Sequence, residues 1–597
     1  MNEALTGRNF IPGIENFEEL ITEKVIYIDK TSYLEDLIRS SHVALILRPR
    51  RFGKTLTMSM MSCFLEMNYQ NPEDRSRPER LFKGLDVSRN KKFCDEYMGR
   101  FPVISISFKD VEGDTFEDAV DMIVGIFAEL AAKFEFLAKK EELDTVFLRR
   151  IRDCNNGIVP VFNSDGTFVR SIAALIKLFV RNLTICLNQA FNKAPILLID
   201  EYDVPLQKAQ AAGYYDRMLR VIRGILSSAL KTNSSISKAF VTGCLRIAHQ
   251  SIFTGVNNFD EYGVNDKIYS GFIGLTKDET VSILKTHGME NRFPDVIEWY
   301  DGYNFGGTGM LCPWSVLKFM SRALRPENDP AVFQPENYWA NSSGNDIIDL
   351  CMRHPGGQDL DRLQNLLEGK TEEIALREFT SYPDITSNTD FDTFATLMLH
   401  TGYLTVVKDA LPSEKNRAVV RIPNKEILEC FSEKVKTLFS ESNPEWRGMS
   451  QELRDSLFDG NAAKVSEIIN KMLQAFISVR DFGSEGFYHG FITGVLGITA
   501  GSSKELKSNR ESGNGYFDLA IMDERISAAV IMEFKISERI KASVRKKECI
   551  EALNQIERND YDSEFRDDYD TIKKFGIVFF KKTCVVMEKN RLDETSE

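Results

Sequence analysis

Short apolar runs separated by polar turns fill the first half of this chain, and their lengths divide into strands and helices. HVALIL at 42–47 has strand length, and TLTMSMMSCFL at 55–65 has the length and apolar spacing of a buried helix. FPVISISF at 101–108 alternates as a strand does. PILLIDEYD at 195–203 sets four aliphatic residues ahead of two acids, and AFVTG at 239–243 closes on the polar Thr242. Aliphatic runs of this kind suit parallel strands covered on both faces. Polar residues at their ends then fall at the sheet edge where such folds bind ligands.

The pattern changes further along. RPENDPAVFQPENYWA at 325–340 is rich in Pro, Asn and acids and reads as a junction. From 345 to about 440 short helical patterns alternate with strand fragments, and TLMLHTGYLTVVKDA reads as helix, turn and hairpin, compatible with a winged-helix-like or a purely connecting module. Residues 451–478 show helical spacing interrupted at Asp459–Gly460, and EGFYHGFITGVL at 485–496 is an apolar helix opened by Glu485. Two strand patterns follow, GYFDLAI at 515–521 and AAVIMEFKI at 528–536. At roughly 100–200 residues per domain, the length suggests about three or four units. The expected partition is 1–290, a mixed and mainly helical connecting region at 291–445, and 446–597.

Composition narrows the class. With 43% hydrophobic and 27% charged residues the chain is globular, and its net charge of −13 argues against coating nucleic acid over the whole surface. A local basic groove is still allowed, and Lys535, Arg539, Lys541, Arg545, Lys546 and Lys547 supply one candidate, although such a run is ordinarily a solvated helix face. The ten cysteines are scattered, with no CxxC pair or Cys/His cluster at zinc spacing, and read as reduced, mostly buried thiols. His354, His400 and His489 are isolated and read as structural. No secretory signal opens the chain, and no unbroken apolar run reaches the roughly 18–20 residues that span a bilayer. The expectation is a cytoplasmic protein with no membrane partner.

Two stretches carry chemistry. RPRRFGKT at 48–55 lies between the first strand and helix, where a phosphate-binding loop turns so that backbone N–H groups surround phosphates, Lys reaches the outer oxygens and Thr ligates Mg²⁺. Gly53, Lys54 and Thr55 fit those positions, with Arg48, Arg50, Arg51 and Phe52 forming the rest of the loop. The usual first glycine is replaced by Arg48. In PILLIDEYD, Asp200 is expected to hold Mg²⁺ through water and Glu201 to polarise the attacking water. Thr242 is the expected sensor of the terminal phosphate. Arg246, one turn later, either reports nucleotide state as arginine fingers do or makes a surface ion pair. WYDGYNFGG at 299–307 reads as a packed turn rather than a nucleobase loop and is assigned no chemistry.

The second stretch is Asp518, Glu533 and Lys535. Strand periodicity puts Glu533 and Lys535 on one face and Phe534 on the other. Asp518 on the neighbouring strand can then share a divalent ion with Glu533, while Lys535 orients the water attacking phosphorus. The spacing alone is common in charged chains.

Beyond single motifs, IPGIENFEELITEKVIYIDKTSYLEDLI, LRPRRFGKTLTMSMM, LLIDEYDVPL, TGCLRIAHQSIFTGVNN, WYDGYNFGG and CPWSVLKF together resemble the bacterial AAA-ATPase-like proteins, over most of residues 8–345. These usually carry a C-terminal PD-(D/E)XK nuclease-superfamily domain, and SNRESGNGYFDLAIMD, AAVIMEFKI and ALNQIERNDY look like it. The resemblance accounts for Arg48, since such proteins tend to carry RPRRFGKT. It implies an α/β fold class: an N-terminal P-loop NTPase with a parallel sheet and flanking helices, a helical or mixed middle region, and a restriction-endonuclease-like α/β domain. It implies ATP and Mg²⁺, with Mn²⁺ an alternative at the nuclease site, and DNA or RNA as partner; an oligomer is allowed. Asp518, Glu533 and Lys535 take the metal and water roles, Glu485 that of a further metal ligand, and Gln555 a phosphate or backbone contact, with Glu511 a weaker alternative acid. Tyr516 stands where the family often has Arg. The implied function is ATP hydrolysis governing metal-dependent nucleic-acid cleavage; the alternative is a nucleotide-dependent switch or scaffold whose nuclease-like domain binds without cutting. A kinase-like phosphotransferase lacks a lid with clustered arginines.

Overall fold

The computed structural model describes residues 10–231, 233–245, 259–339, 362, 365–366, 369–377, 390–408, 410, 412–414, 416–431, 444–476, 488, 491–493, 495–496, 506–512, 515–537, 539, 541–581 and 583–589. The chain divides into two compact units, one of residues 1–341 with 373–427 and the other of 342–372 with 428–597. The expected block at 291–445 is therefore shared between them.

The first unit is built on five strands: β1 (Val43–Leu47), β2 (Val103–Ser107), β3 (Ile196–Asp200), β4 (Lys238–Gly243) and β5 (Phe259–Tyr262). They pair in the order β2-β3-β4-β1-β5, and every pairing is parallel. β1 and β3 are buried along their whole length, as their unbroken aliphatic sequence requires. β4 lies between them, with Ile46 beside Thr242 and Ile199 beside Val241. The ends of β1, β3 and β4 thus meet at one edge of the sheet.

Helices Lys54–Leu65, Phe116–Lys133, Arg170–Phe191 and Tyr215–Leu230 belong to this unit. The second starts on a Thr115/Asp118 capping box, which satisfies two N–H groups that a helix start leaves open. Among the described residues Arg170–Phe191 alone is long and apolar enough to cross a membrane by length and composition, which an unbroken-run criterion missed. Half of it is buried, and it packs beside Tyr215–Leu230 with Ile172, Ile176, Phe179, Leu183 and Leu187 in the core.

A small antiparallel sheet of β6 (Leu275–Thr276), β7 (Tyr303–Phe305) and β8 (Thr308–Leu311), ordered β6-β8-β7, follows in the same unit. WYDGYNFGG therefore ends a helix, Phe293–Tyr300, and makes the β7–β8 hairpin. Residues of the middle region pack on this part: Asn304 donates to the Thr405 hydroxyl at 2.8 Å, and Ser315 donates to Glu426 at 2.8 Å. Helix Phe391–Thr401 ends on Gly402 in the left-handed conformation.

The second unit holds a five-stranded mixed sheet of Leu506–Ser512, Gly515–Asp523, Ala528–Ile536, Thr571–Phe580 and Thr583–Glu588, in that order. Only the pairing of Ala528–Ile536 with Thr571–Phe580 is parallel. Helices Pro444–Phe458 and Ala462–Phe476, separated at the expected Asp459–Gly460 break, cover one face through Leu453, Val465, Ile469 and Met472 on Leu519, Val530, Met532 and Phe534. Helix Ala542–Arg558 lies on the other, with Leu553 and Ile556 against Ala520, Ala529 and Ile531. The nine described cysteines are all free thiols, and all but Cys94 are buried.

Candidate functional site

At the first unit's sheet edge the RPRRFGKT loop leaves β1 and turns into helix Lys54–Leu65. Gly53 caps that helix at φ 99°, a region that favours glycine, and a Cβ built there meets nothing within 4 Å. The concave side of the loop is thus open, and the N–H groups of the helix's first turn have no intrahelical partner. Lys54 is buried; its Nζ donates to Pro49 O at 3.2 Å and Cys244 Sγ at 3.3 Å and pairs with Glu201 at 3.1 Å. Burial by itself lowers such an amine, but the surrounding negative groups hold Lys54 above its ordinary value. Burial also pushes the Cys244 thiol up to about 12, so Glu201, Asp200 and Asp203 carry the countercharge near neutral pH.

Three acids converge on this lysine. Asp200, at the end of β3, accepts from the Thr242 hydroxyl and from Thr55, while its Oδ2 is buried with no hydrogen-bond partner. Burial, then the charge of Glu201, raise the Asp200 carboxyl. Glu201 has φ 54°, an uncommon value for a non-glycine residue, and its Oε2 is likewise buried without a partner. Asp203 accepts the N–H groups of Cys244 at 3.0 Å and Leu245 at 2.9 Å, tying the turn after β3 to the end of β4. Burial and then Glu201 raise its carboxyl to about 6. Gly243 is needed here, because a Cβ would lie 2.6 Å from the Tyr202 ring and 2.7 Å from Asp203 Oδ1.

In the second unit, the ladder between Gly515–Asp523 and Ala528–Ile536 runs from Asp523↔Ala528 to Leu519↔Met532. Beyond that point the Asp518 carboxylate accepts the Phe534 N–H at 2.7 Å, taking a bond that a strand backbone otherwise makes. Phe517 packs with Ala520 and Met522 on the helix side whereas Leu519 and Ile521 pack on the other, so the alternation of faces breaks at Asp518. Phe534 points to the Pro444–Phe476 helices. Glu533 is buried, and Lys535 donates to Gln555 Oε1 on helix Ala542–Arg558 at 2.8 Å. Gly576, beside Glu533 on the adjoining strand, lets that helix approach: a Cβ there falls 2.3 Å from Cys549 O.

Comparison with known proteins matches these two arrangements separately. Residues 12–253 match the AAA-ATPase-like family, described as "Predicted AAA-ATPase", and residues 483–589 match the PD-(D/E)XK nuclease superfamily. The chain carries an AAA-ATPase-like domain and a PD-(D/E)XK nuclease-superfamily domain. An "uncharacterized protein in vnfD 5'region" of Azotobacter chroococcum is 22% identical over 586 residues, 96% of this chain and 97% of that one. Among solved structures, the Walker-type ATPase of Pyrococcus abyssi is 14% identical with a TM-score of 0.34, over 72% of this chain and 99% of that one.

Within the AAA-ATPase-like domain the loop arginines do not converge on its open side. Arg48, expected in the phosphate clamp, is fully buried and donates to the carbonyls of Leu47, Tyr262, Gly263 and Tyr269, with its guanidinium 5.3 Å from the Phe305 ring. Those bonds fix the start of the loop, so its place is structural and the expectation for Arg48 is corrected. Arg50 donates to Gln207. Arg51 lies at 5.4 Å from Trp314 and 5.3 Å from Trp339 and donates to Tyr338 O at 2.7 Å, again away from a clamp role. Phe52 packs on Tyr303 and Phe305 at 5.0 and 5.1 Å, so WYDGYNFGG braces the loop. Arg246 lies outside the described residues. The donor set of the Thr55 hydroxyl and a partnerless Asp200 oxygen suits Mg²⁺, a hard cation that takes oxygen ligands.

Within the nuclease-superfamily domain, Asp518 and Glu533 offer carboxylate oxygen, the donor chemistry of Mg²⁺ or Mn²⁺. Among the described residues no cluster of three His, Cys, Asp or Glu side chains is assembled for a metal. Glu485 and His489 lie outside the described residues, as does His354. Tyr516 and Glu511 face each other across the Leu506–Ser512 and Gly515–Asp523 strands, and their side chains lie outside the description too. Of the basic run, Arg545 is taken up by Thr583 and the Phe580 ring, while Lys541, Lys546 and Lys547 are exposed. Sequence reasoning did not assign Asp203, Gly243 or Gly576. Asp203 stood in view as the third acid of IDEYD; the glycines gave no local signal.

Proposed function

We propose that this chain binds and hydrolyses ATP in its first unit and cleaves nucleic-acid phosphodiester bonds in its second, with nucleotide state governing access to the cleavage site. The observation that carries the reading is the meeting of Lys54, Thr55, Asp200, Glu201 and Thr242 at one sheet edge beside an open Gly53. Thr55 and Asp200 would hold Mg²⁺, which supplies charge neutralisation on the phosphate oxygens. The first-turn N–H groups receive the phosphates. Lys54 exchanges Pro49 O and Glu201 for a phosphate oxygen, and the released Glu201 carboxylate takes a hydrogen bond from the attacking water. Thr242, through Asp200, senses whether the terminal phosphate is present.

In the second unit Asp518 and Glu533 would hold a divalent ion, which activates water and polarises the phosphodiester. Lys535, oriented by Gln555, aligns the attacking water and stabilises charge developing on phosphorus oxygens. Reduced, buried thiols fit a cytoplasmic setting. Incubation of the full chain with labelled single- and double-stranded DNA and RNA, Mg²⁺ or Mn²⁺, with and without ATP, tests the whole reading. Metal-dependent cleavage that changes with ATP supports it; intact polymer under every condition leaves the binding-only alternative.

A further inference from the structure

A cavity of about 110 Å³ lies against the phosphate loop, with Phe52, Gly53, Leu56 and Thr57 forming one wall. We infer that it takes the base of the bound nucleotide and favours adenine, an inference that rests on the phosphate-loop reading. Leu56 and Thr57 belong to the first turn of helix Lys54–Leu65, a 12-residue helix rising about 5.4 Å per turn. A nucleoside whose phosphates sit at that N-terminus can reach a cavity walled by the same turn. The opposite walls are apolar, from Ile26 and Ile28, from Ile273 and Leu275, and from Leu317. For scale, a dry apolar cavity of about 150 Å³ accepts a benzene ring.

The wall is built closely. Gly274 has φ 117°, and a Cβ there would meet Met310 at 2.8 Å and Phe52 at 3.0 Å, so glycine lets the 272–275 segment lie against the loop. Base choice follows from the lining. Lys30 is its one charged side chain, and its Nζ is spent on Gly271 O at 2.8 Å and on Glu279 at 2.6 Å. No carboxylate lines the cavity among the described residues. Guanine brings a carbonyl, a ring N–H and an amine into this setting, adenine a single amine and ring nitrogens, and unmatched polar groups disfavour burial.

Calorimetric titration of the full chain with the Mg²⁺ complexes of ATP, GTP and tripolyphosphate separates base from phosphate. The wild-type protein should bind ATP at least roughly tenfold more tightly than either competitor, about 1.4 kcal/mol. Leu317→Trp, which fills the cavity, should erase that advantage while tripolyphosphate binding stays within about threefold, or about 0.7 kcal/mol. If Leu317→Trp loses both ligands through misfolding, Leu317→Ala decides, with a smaller loss for ATP and none for tripolyphosphate. ATP bound no more tightly than tripolyphosphate, or unchanged by both Leu317 variants, overturns the inference, and GTP equal to ATP overturns its adenine preference. Tripolyphosphate binding that survives Lys54→Ala overturns the phosphate-loop reading instead, and the inference with it.

Discussion

Lys54 pairs with Glu201 at 3.1 Å and has Asp200 and Asp203 close by, whereas Lys535 is held at 2.8 Å by the neutral amide of Gln555. A buried cation needs its countercharges, because an uncompensated charge in that setting costs several kcal/mol. The first site is therefore an internally neutralised arrangement that a phosphate has to open, moving Lys54 and freeing Glu201 together. The second presents its lysine without such exchange, on a helix brought close by Gly576. Its carboxylates differ in the same sense: Asp518 already holds a backbone N–H, while Asp200 and Glu201 each keep a partnerless buried oxygen. Ligand binding should reorganise the first site and leave the framework of the second in place.

The largest expected effect breaks one site and spares the other. Asp518→Ala or Glu533→Ala should abolish metal-dependent cleavage in a gel assay while ATP binding is unchanged. Lys54→Ala should slow phosphate release from ATP by at least about a hundredfold, as loss of a preorganised charge stabiliser does. Next comes the neutral tether: Gln555→Ala should lower cleavage by about 10–100-fold, the usual cost of losing a partner that orients an active group. A Gln555→Ala rate equal to wild type would show that Lys535 needs no orientation.

The smaller effects concern stability. Gly576→Ala drives a methyl group into Cys549 O and should cost about 1–3 kcal/mol, read as a lower denaturant midpoint for the second unit. The pH effect at Asp203 is smaller in reach. Its folded carboxyl titrates at about 6 against about 3.9 unfolded, so the folded state binds the proton more tightly. The resulting stabilisation is complete below pH about 3.9 and fades as pH rises through about 6. Asp203→Asn should flatten that slope in thermal melts; an unchanged slope would place the titration elsewhere.

Much of this was legible in the chain because the relevant signals are local. HVALIL, PILLIDEYD and AFVTG carry unbroken apolar runs ending in polar residues, and each became a strand of the parallel sheet with its polar end at the edge. The alternation in AAVIMEFKI placed Phe534 opposite Lys535, as found. What escaped depends on contacts made far along the sequence. Arg48 finds its carbonyls at Tyr262, Gly263 and Tyr269, and Arg51 finds its rings at Trp314 and Trp339, so neither destination is encoded near the loop. Glycines 243 and 576 matter through what a side chain would strike, which no periodicity reveals.

Phosphate release from ATP and strand cleavage, measured on the same preparations of wild type, Lys54→Ala and Asp518→Ala with Mg²⁺, test most directly whether one chain holds two separate phosphoryl-transfer sites. The account predicts that Lys54→Ala loses phosphate release and the response of cleavage to ATP, while Asp518→Ala loses cleavage and keeps phosphate release. Cleavage that persists in Asp518→Ala, or phosphate release that persists in Lys54→Ala, would contradict it.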